Sequence, residues 1–232
     1  MSEKIVKLIN FHYFLLAGVL FFALDSANAQ EQPDTQTPRK NLTAEEMAPL
    51  ALKDSMYYNF DEWFARFAGE INRLESAVPS LENRVELMKY HFNYAGLLGE
   101  LCHTLAFTSK YQDESIAKKF MHHSRRVKKL AQDILDDDFS TIDQQAHANL
   151  YLGASEGYIG IFEYGQGNLL VALINGFQAD NHLERALILN PKLVDAYFGL
   201  GMYRYGNSRL GGLGHLIMQG GKDLRLVGMN HI

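Results

Sequence analysis

Ala179-Asp180-Asn181-His182-Leu183-Glu184-Arg185-Ala186-Leu187-Ile188-Leu189-Asn190-Pro191, followed by Asp195-Ala196-Tyr197-Phe198-Gly199-Leu200-Gly201, decides the fold. Ala179, Leu183 and Ala186 recur at helical spacing, and Pro191 marks the boundary before the next apolar face. Small residues (Ala179, Ala186, Gly201) let two helices approach closely, and larger ones (Leu183, Tyr197, Leu200) fill the gaps between them. Pro191 is expected to open the following helix, where its missing N–H costs nothing. A looser copy of the second half stands upstream as Leu150-Tyr151-Leu152-Gly153.

Outward from this stretch the text is helical. Thr43-x-x-Glu46 reads as a capping box for a short helix. Asp61 reads as the cap of a second, with Trp63, Phe64, Phe67, Ile71 and Leu74 as its apolar stripe and Pro79 as its stop. Ser80 opens a long helix with Leu81, Val85, Met88, Phe92, Ala95 and Cys102 at helical spacing, broken at Lys110-Tyr111-Gln112. A helix from about Asp113 to Leu135 turns Ile116, Phe120, Val127, Leu130 and Ile134 inward. Ser140 or Thr141 starts the next, Gly165-Gln166-Gly167 is a turn, and Leu169 to Leu189 is helical again. No segment alternates with a period of two, so an all-α fold of antiparallel helical hairpins, stacked side by side, is expected.

The N-terminus carries a different signal. Lys4 and Lys7 precede the apolar stretch Phe11–Leu24, and Ala27-Asn28-Ala29 is a small-x-small site before Gln30. That order is the order of a secretory signal peptide over residues 1–29. The other reading is an uncleaved membrane anchor, for which the stretch is short. Residues 30–42, with Pro33 and Pro38, read as a flexible linker. Residues 43–140 then form an N-terminal helical region and 141–232 the repeats. An exported, periplasmic protein is the expectation.

Leu152-Gly153-Ala154 with Gly157-Tyr158, Glu184 through Pro191, and above all Asp195-Ala196-Tyr197-Phe198-Gly199-Leu200-Gly201-Met202-Tyr203-Arg204-Tyr205 resemble bacterial exported tetratricopeptide-repeat (TPR) proteins. Gly220-Gly221-Lys222-Asp223 looks like that family's Gly-Gly-Asp-Arg turn with a local change. The likeness runs from about Gln145 to Gly228. It implies a TPR-like α-solenoid and a binding role, with no catalytic residues to carry over. Some related periplasmic members are accessory components of solute transporters, which makes a small-solute binder the second implication of the resemblance. The chain ends at Ile232, so the last hairpin is expected to be half built, its open face covered by further repeats or by a partner.

Charge and chemistry narrow the function. The net charge is −5, and residues 1–29 hold Lys4 and Lys7 against Glu3 and Asp25, so their removal leaves it unchanged. A mildly acidic chain is a poor nucleic-acid binder. Arg125-Arg126 with Lys128-Lys129 is the one basic cluster, and Asp136-Asp137-Asp138 follows it, which reads as a solvated helix face. The single cysteine, Cys102, lies in an apolar run and reads as a core residue. His122 and His123 are adjacent, hence about 100° apart on a helix, and make no bidentate metal site by themselves. Glu156 and Glu163 lie two helical turns apart, but no nucleophile elbow, phosphate loop or His-Glu-x-x-His motif accompanies them. Gly211-Gly212-Leu213-Gly214 lacks the strand and lysine of a nucleotide loop. The expectation is a non-enzymatic scaffold without metal or cofactor, binding a protein or peptide; an enzyme acting on the cell envelope is the third reading, for which no catalytic constellation stands in the sequence. Its candidate binding residues are Tyr203, Arg204, Tyr205, Arg209 and His215, an aromatic and cationic set suited to a peptide or a small anion.

Overall fold

The structure, a computed structural model, describes residues 60–108, 114–210 and 222–231. These contain seven helices and no strand: α1 Phe60–Glu75, α2 Leu81–Thr108, α3 Glu114–Leu135, α4 Ile142–Gly165, α5 Leu169–Leu189, α6 Val194–Leu210 and α7 Arg225–His231. The all-helical reading is therefore correct for the described residues. The segment around Thr43 and the residues expected to form a signal peptide (1–29) and a linker (30–42) lie outside them.

Local chemistry sets the helix ends. In α1 the residues Trp63, Phe67, Ile71 and Leu74 share one face and are all buried. The helix begins at Phe60, one residue before the expected cap, so Asp61 sits in the first turn, where its charge favours the helix dipole. Ser80 caps α2 as expected, its Oγ accepting the Asn83 N–H at 3.1 Å. At α4 the choice between Ser140 and Thr141 falls to Thr141. Its Oγ1 accepts from the Gln144 N–H, and the Gln144 side chain accepts from the Thr141 N–H, a complete capping box. Gly167 turns the chain between α4 and α5 at φ +84°, a region costly for a residue with a Cβ. Pro191 departs from expectation. It lies in a turn after α5, and α6 begins only at Val194. Asn190 shapes that turn, its Oδ1 accepting the Lys192 N–H at 3.0 Å.

Each helix from α2 to α7 runs antiparallel to its predecessor. Arg84 reaches Asp137, and His91 meets His123, across α2 and α3. Ser124 meets Ser155, and Phe120 meets Phe162, across α3 and α4. Asn149 meets His182, and Gly160 meets Ala172, across α4 and α5. Two clusters form the core. The larger joins α1 to α4 through Trp63, Phe67, Met88, Tyr90, Phe120, Val127, Ile134 and Leu152. The smaller joins α4, α5 and α6 through Leu150, Leu183, Ala186, Ala196 and Leu200. Leu183 is 3% exposed, so its burial contributes about 2 kcal/mol.

Three Leu-Gly steps mark where helices cross. A Cβ on Gly99 would touch the Phe120 ring at 3.4 Å. One on Gly153 would come within 3.0 Å of the Ala179 carbonyl and Leu183 Cγ. Gly201 presents its carbonyl 2.6 Å from the place a Cβ on Gly228 would take. Leu98, Leu152 and Leu200, the residue before each glycine, are buried. The tight crossings are thus α4 on α5, at Gly153, and α6 on α7, where the glycine that makes room is Gly228, while Gly99 is in ordinary contact with α3.

Candidate binding seam

Helix α4 lies between α3 and α5 and packs on both, while no Cα of α3 comes within 8 Å of one in α5 among the described residues. A strip of α4 therefore separates the two flanking helices. On it stand Gln145, Asn149 and Glu156, and over it lean Lys128 from α3 and His182 from α5.

Glu156 is the centre of this strip. It is 2% exposed, yet it carries a carboxylate. Lys128 Nζ lies 3.0 Å from Oε1. Oε2 is buried and accepts no hydrogen bond, and His182 Nε2 lies 3.9 Å from it. His182 is oriented from its other side, its Nδ1 lying 3.0 Å from Asn149 Oδ1, so that Nδ1 carries the proton and Nε2 is the free acceptor of the neutral ring. Asn149 in turn donates to the Gln145 carbonyl at 2.9 Å. Burial pushes the Glu156 carboxyl above its usual range, against the opposing pull of Lys128. Burial, and then Lys128, push His182 below its usual value.

An ion pair in this setting holds only while both partners are present. Lys128→Met is expected to cost about 3 kcal/mol near pH 8, because it leaves Glu156 charged and uncompensated. Its folded pKa then rises further, so the variant keeps its stability at low pH and loses it as pH rises through that value. Urea unfolding near pH 5 and near pH 8 checks this. An equal loss at both would show that packing, not charge, sets the cost.

A similar lock recurs one crossing later with the signs reversed. Three residues after Gly153 stands Glu156, and three after Gly201 stands Arg204. Arg204 reaches back to α5, pairing with Glu184 and, at 3.4 Å, with Asp180 Oδ1. Of the binding residues expected from sequence, Arg204 is thus engaged in an interhelical pair. Tyr203 is half-buried on the same helix, and Tyr205 lies beneath α7, against Gly228. The side chain of Arg209 and all of His215 lie outside the described residues, as do the side chains of Cys102 and His103. Glu163 does not converge with Glu156. It ends α4, where it accepts from Asn168 at 2.6 Å.

The basic cluster on α3 is only partly the solvated face expected. Arg125 and Lys129 are exposed, but Lys128 serves the buried Glu156, and Arg126 bonds Glu75 of α1 at 3.0 Å. His123 pairs with His91, Nδ1 to Nδ1 at 2.8 Å, and stacks on the Tyr94 ring at 4.1 Å. Among the described residues no three His, Cys, Asp or Glu side chains are grouped to hold a metal ion. Sequence spacing had no means of finding the seam. Lys128 lies 28 residues before Glu156 and His182 26 after it, on three different helices, and only the packing of α4 between its neighbours brings them together. Compared with known proteins, the chain matches no family model, no curated protein and no solved structure.

Proposed function

We propose that this chain is a TPR-type α-solenoid, exported to the periplasm, that serves as a scaffold for a protein or peptide partner. The antiparallel succession of helices and the close approach of α4 to α5 at Gly153 and of α6 to α7 at Gly228 support the repeat reading. The binding reading rests on one observation: a buried carboxylate oxygen, Glu156 Oε2, without a hydrogen-bond donor, on the strip of α4 between α3 and α5. Buried acceptors are nearly always satisfied, and leaving one unpaired costs about 1–3 kcal/mol. A peptide lying along the strip, with His182 swung aside, would lay an N–H against that oxygen.

Selection from a random-peptide display library against the full chain tests this reading. Enriched peptides are expected to bind Glu156→Gln about tenfold more weakly, a difference of about 1.4 kcal/mol, and His182→Ala no more weakly than the wild type. No enrichment, or binding indifferent to Glu156→Gln, would remove the seam as the site.

A further inference from the structure

Two hydrogen-bond acceptors face each other across the strip of α4. Asn149 Nδ2 donates to the Gln145 carbonyl at 2.9 Å, which leaves Asn149 Oδ1 turned to His182. Oδ1 takes the His182 Nδ1 proton at 3.0 Å, so in the neutral ring Nε2 carries a lone pair. That nitrogen lies 3.9 Å from Glu156 Oε2, a buried carboxylate oxygen that accepts no hydrogen bond. The gap is about 1 Å longer than a charge-assisted hydrogen bond. Only a cation between them turns this opposition into a bond. A metal ion would find these two ligands alone, with the Lys128 ammonium already 3.0 Å from the same carboxylate, and no third His, Cys, Asp or Glu joins them among the described residues. A proton needs only two.

The bond is the same whichever atom receives that proton. An imidazolium donates to the carboxylate, or a carboxylic acid donates to the imidazole, and in either form the gap closes to about 2.8 Å. Burial raises Glu156 against the pull of Lys128, while burial, and then Lys128, lowers His182, so the proton affinities of the two groups move toward each other. The surrounding helices leave the pair to itself. Lys128 is the charge that reaches it from α3. Helix α2 meets α4 through the Phe92 ring on Tyr151 and Tyr158. From α6, Arg204 is held by Asp180 and Glu184 of α5. Arg125 and Arg185, about one turn from Lys128 and His182, are exposed. With the proton in place, His182 is bonded at both ring nitrogens and ties α5 to α4 across the strip. Without it, the ring is held at Nδ1 alone and is 30% exposed, free to swing aside.

We propose that one proton shared by His182 Nε2 and Glu156 Oε2 latches the seam in acid, and that its loss opens the seam to the ligand. The effect on binding rests on the seam being the peptide site; the latch itself does not. As pH falls the pair takes up the proton and affinity drops, and as pH rises affinity returns. The first test uses the full chain with isotope-labelled histidine and glutamate, titrated by NMR from about pH 8 downward. The His182 ring, identified by its loss in His182→Gln, and the Glu156 carboxyl are expected to move with one common midpoint. In Glu156→Gln the His182 change is expected about one pH unit lower, because the carboxylate that shares the proton is gone. Separate midpoints in the wild type, or a His182 that titrates alike in both proteins, overturn the latch whether or not a peptide binds. The second test uses display-selected peptides that contain no His, Asp or Glu. They are expected to bind the wild type about tenfold more weakly at about pH 5 than at about pH 8, and His182→Ala to lose most of that difference. Equal binding at both pH values, or a pH dependence that His182→Ala retains in full, overturns the latch as the control of the seam. A library that enriches nothing removes the peptide reading and leaves the NMR midpoints to decide the latch.

Discussion

Replacing Gly153 by valine is expected to destabilise the protein by about 3–4 kcal/mol and to lower the melting temperature by roughly 10 °C. A Cβ at this position would lie 3.0 Å from the Ala179 carbonyl, 3.0 Å from Leu183 Cγ and 3.1 Å from the Leu183 nitrogen. Two of those atoms are backbone, so relief requires α5 to move away from α4 as a body. That movement would strain the Asn149–His182 contact and the small cluster of Leu150, Leu183, Ala186, Ala196 and Leu200 together. Gly153→Ala meets the same atoms but recovers about 1 kcal/mol of helix propensity, so its loss should be clearly smaller. Gly69 is the control. A Cβ there would meet nothing within 4 Å, and Gly69→Ala is expected to stabilise α1 by about 0.5–1 kcal/mol. Thermal melts of the three variants decide the matter. A Gly153→Val protein as stable as the wild type would mean that α4 and α5 do not cross at this glycine.

The second large effect is a loss of stability in acid. His91 and His123 face each other through Nδ1 at 2.8 Å, which requires one nitrogen to carry the proton and the other to lack it. Protonating both rings would set two donors, and two charges, against each other. Burial, then His123, Arg126 and His122, hold His91 down to about 3. Burial, then His122 and Lys119, hold His123 down to about 4. Among the described residues the acid that pairs with His91 is Glu75, 4.0 Å from its Nε2, and it is already bonded to Arg126. Both histidines are depressed from 6.5, so in the unfolded chain they take up protons that the folded chain refuses. Their contribution is fully present above about pH 6.5 and is lost as pH falls toward 4 and below. At about pH 5 the loss is of the order of 2–4 kcal/mol for the pair. Glu156 and Asp180, raised by burial, act in the opposite sense over an overlapping range, so the informative quantity is a difference. His123→Gln is expected to lose about half as much stability as the wild type between pH 7 and pH 5. Urea titrations at the two pH values measure it, and an unchanged slope would place the acid sensitivity elsewhere.

Much of the helical frame is legible in the sequence. The stripe Trp63, Phe67, Ile71 and Leu74 repeats at spacings of four, four and three, and all four side chains are buried. Ser80 and Thr141 cap helices because a short hydroxyl side chain reaches the N–H three residues on; the sequence singles out Ser80, and offers Thr141 beside Ser140. Pro191 shows the limit of such rules. A proline suits the first turn of a helix and the turn before it alike, and here Asn190 closes the turn first, so the helix starts later.

The side-chain sites are far less legible. In sequence Arg204 reads as one of a set of binding residues, and Lys128 as part of a solvated helix face. The partners they take up, Glu184 and Glu156, lie 20 and 28 residues away on neighbouring helices. In sequence His123 stands beside His122, whereas its actual partner is His91, 32 residues back.

The chain's own sequence determined the helices, their breaks and the small-residue positions where they touch, because these depend on neighbours within about four residues and on the presence or absence of a Cβ. Which helices meet, and which charge each buried group faces, was decided by the tertiary structure alone. The reason is physical: a periodic pattern shows which face of a helix turns inward, but the contact on that face belongs to whatever the rest of the chain brings against it.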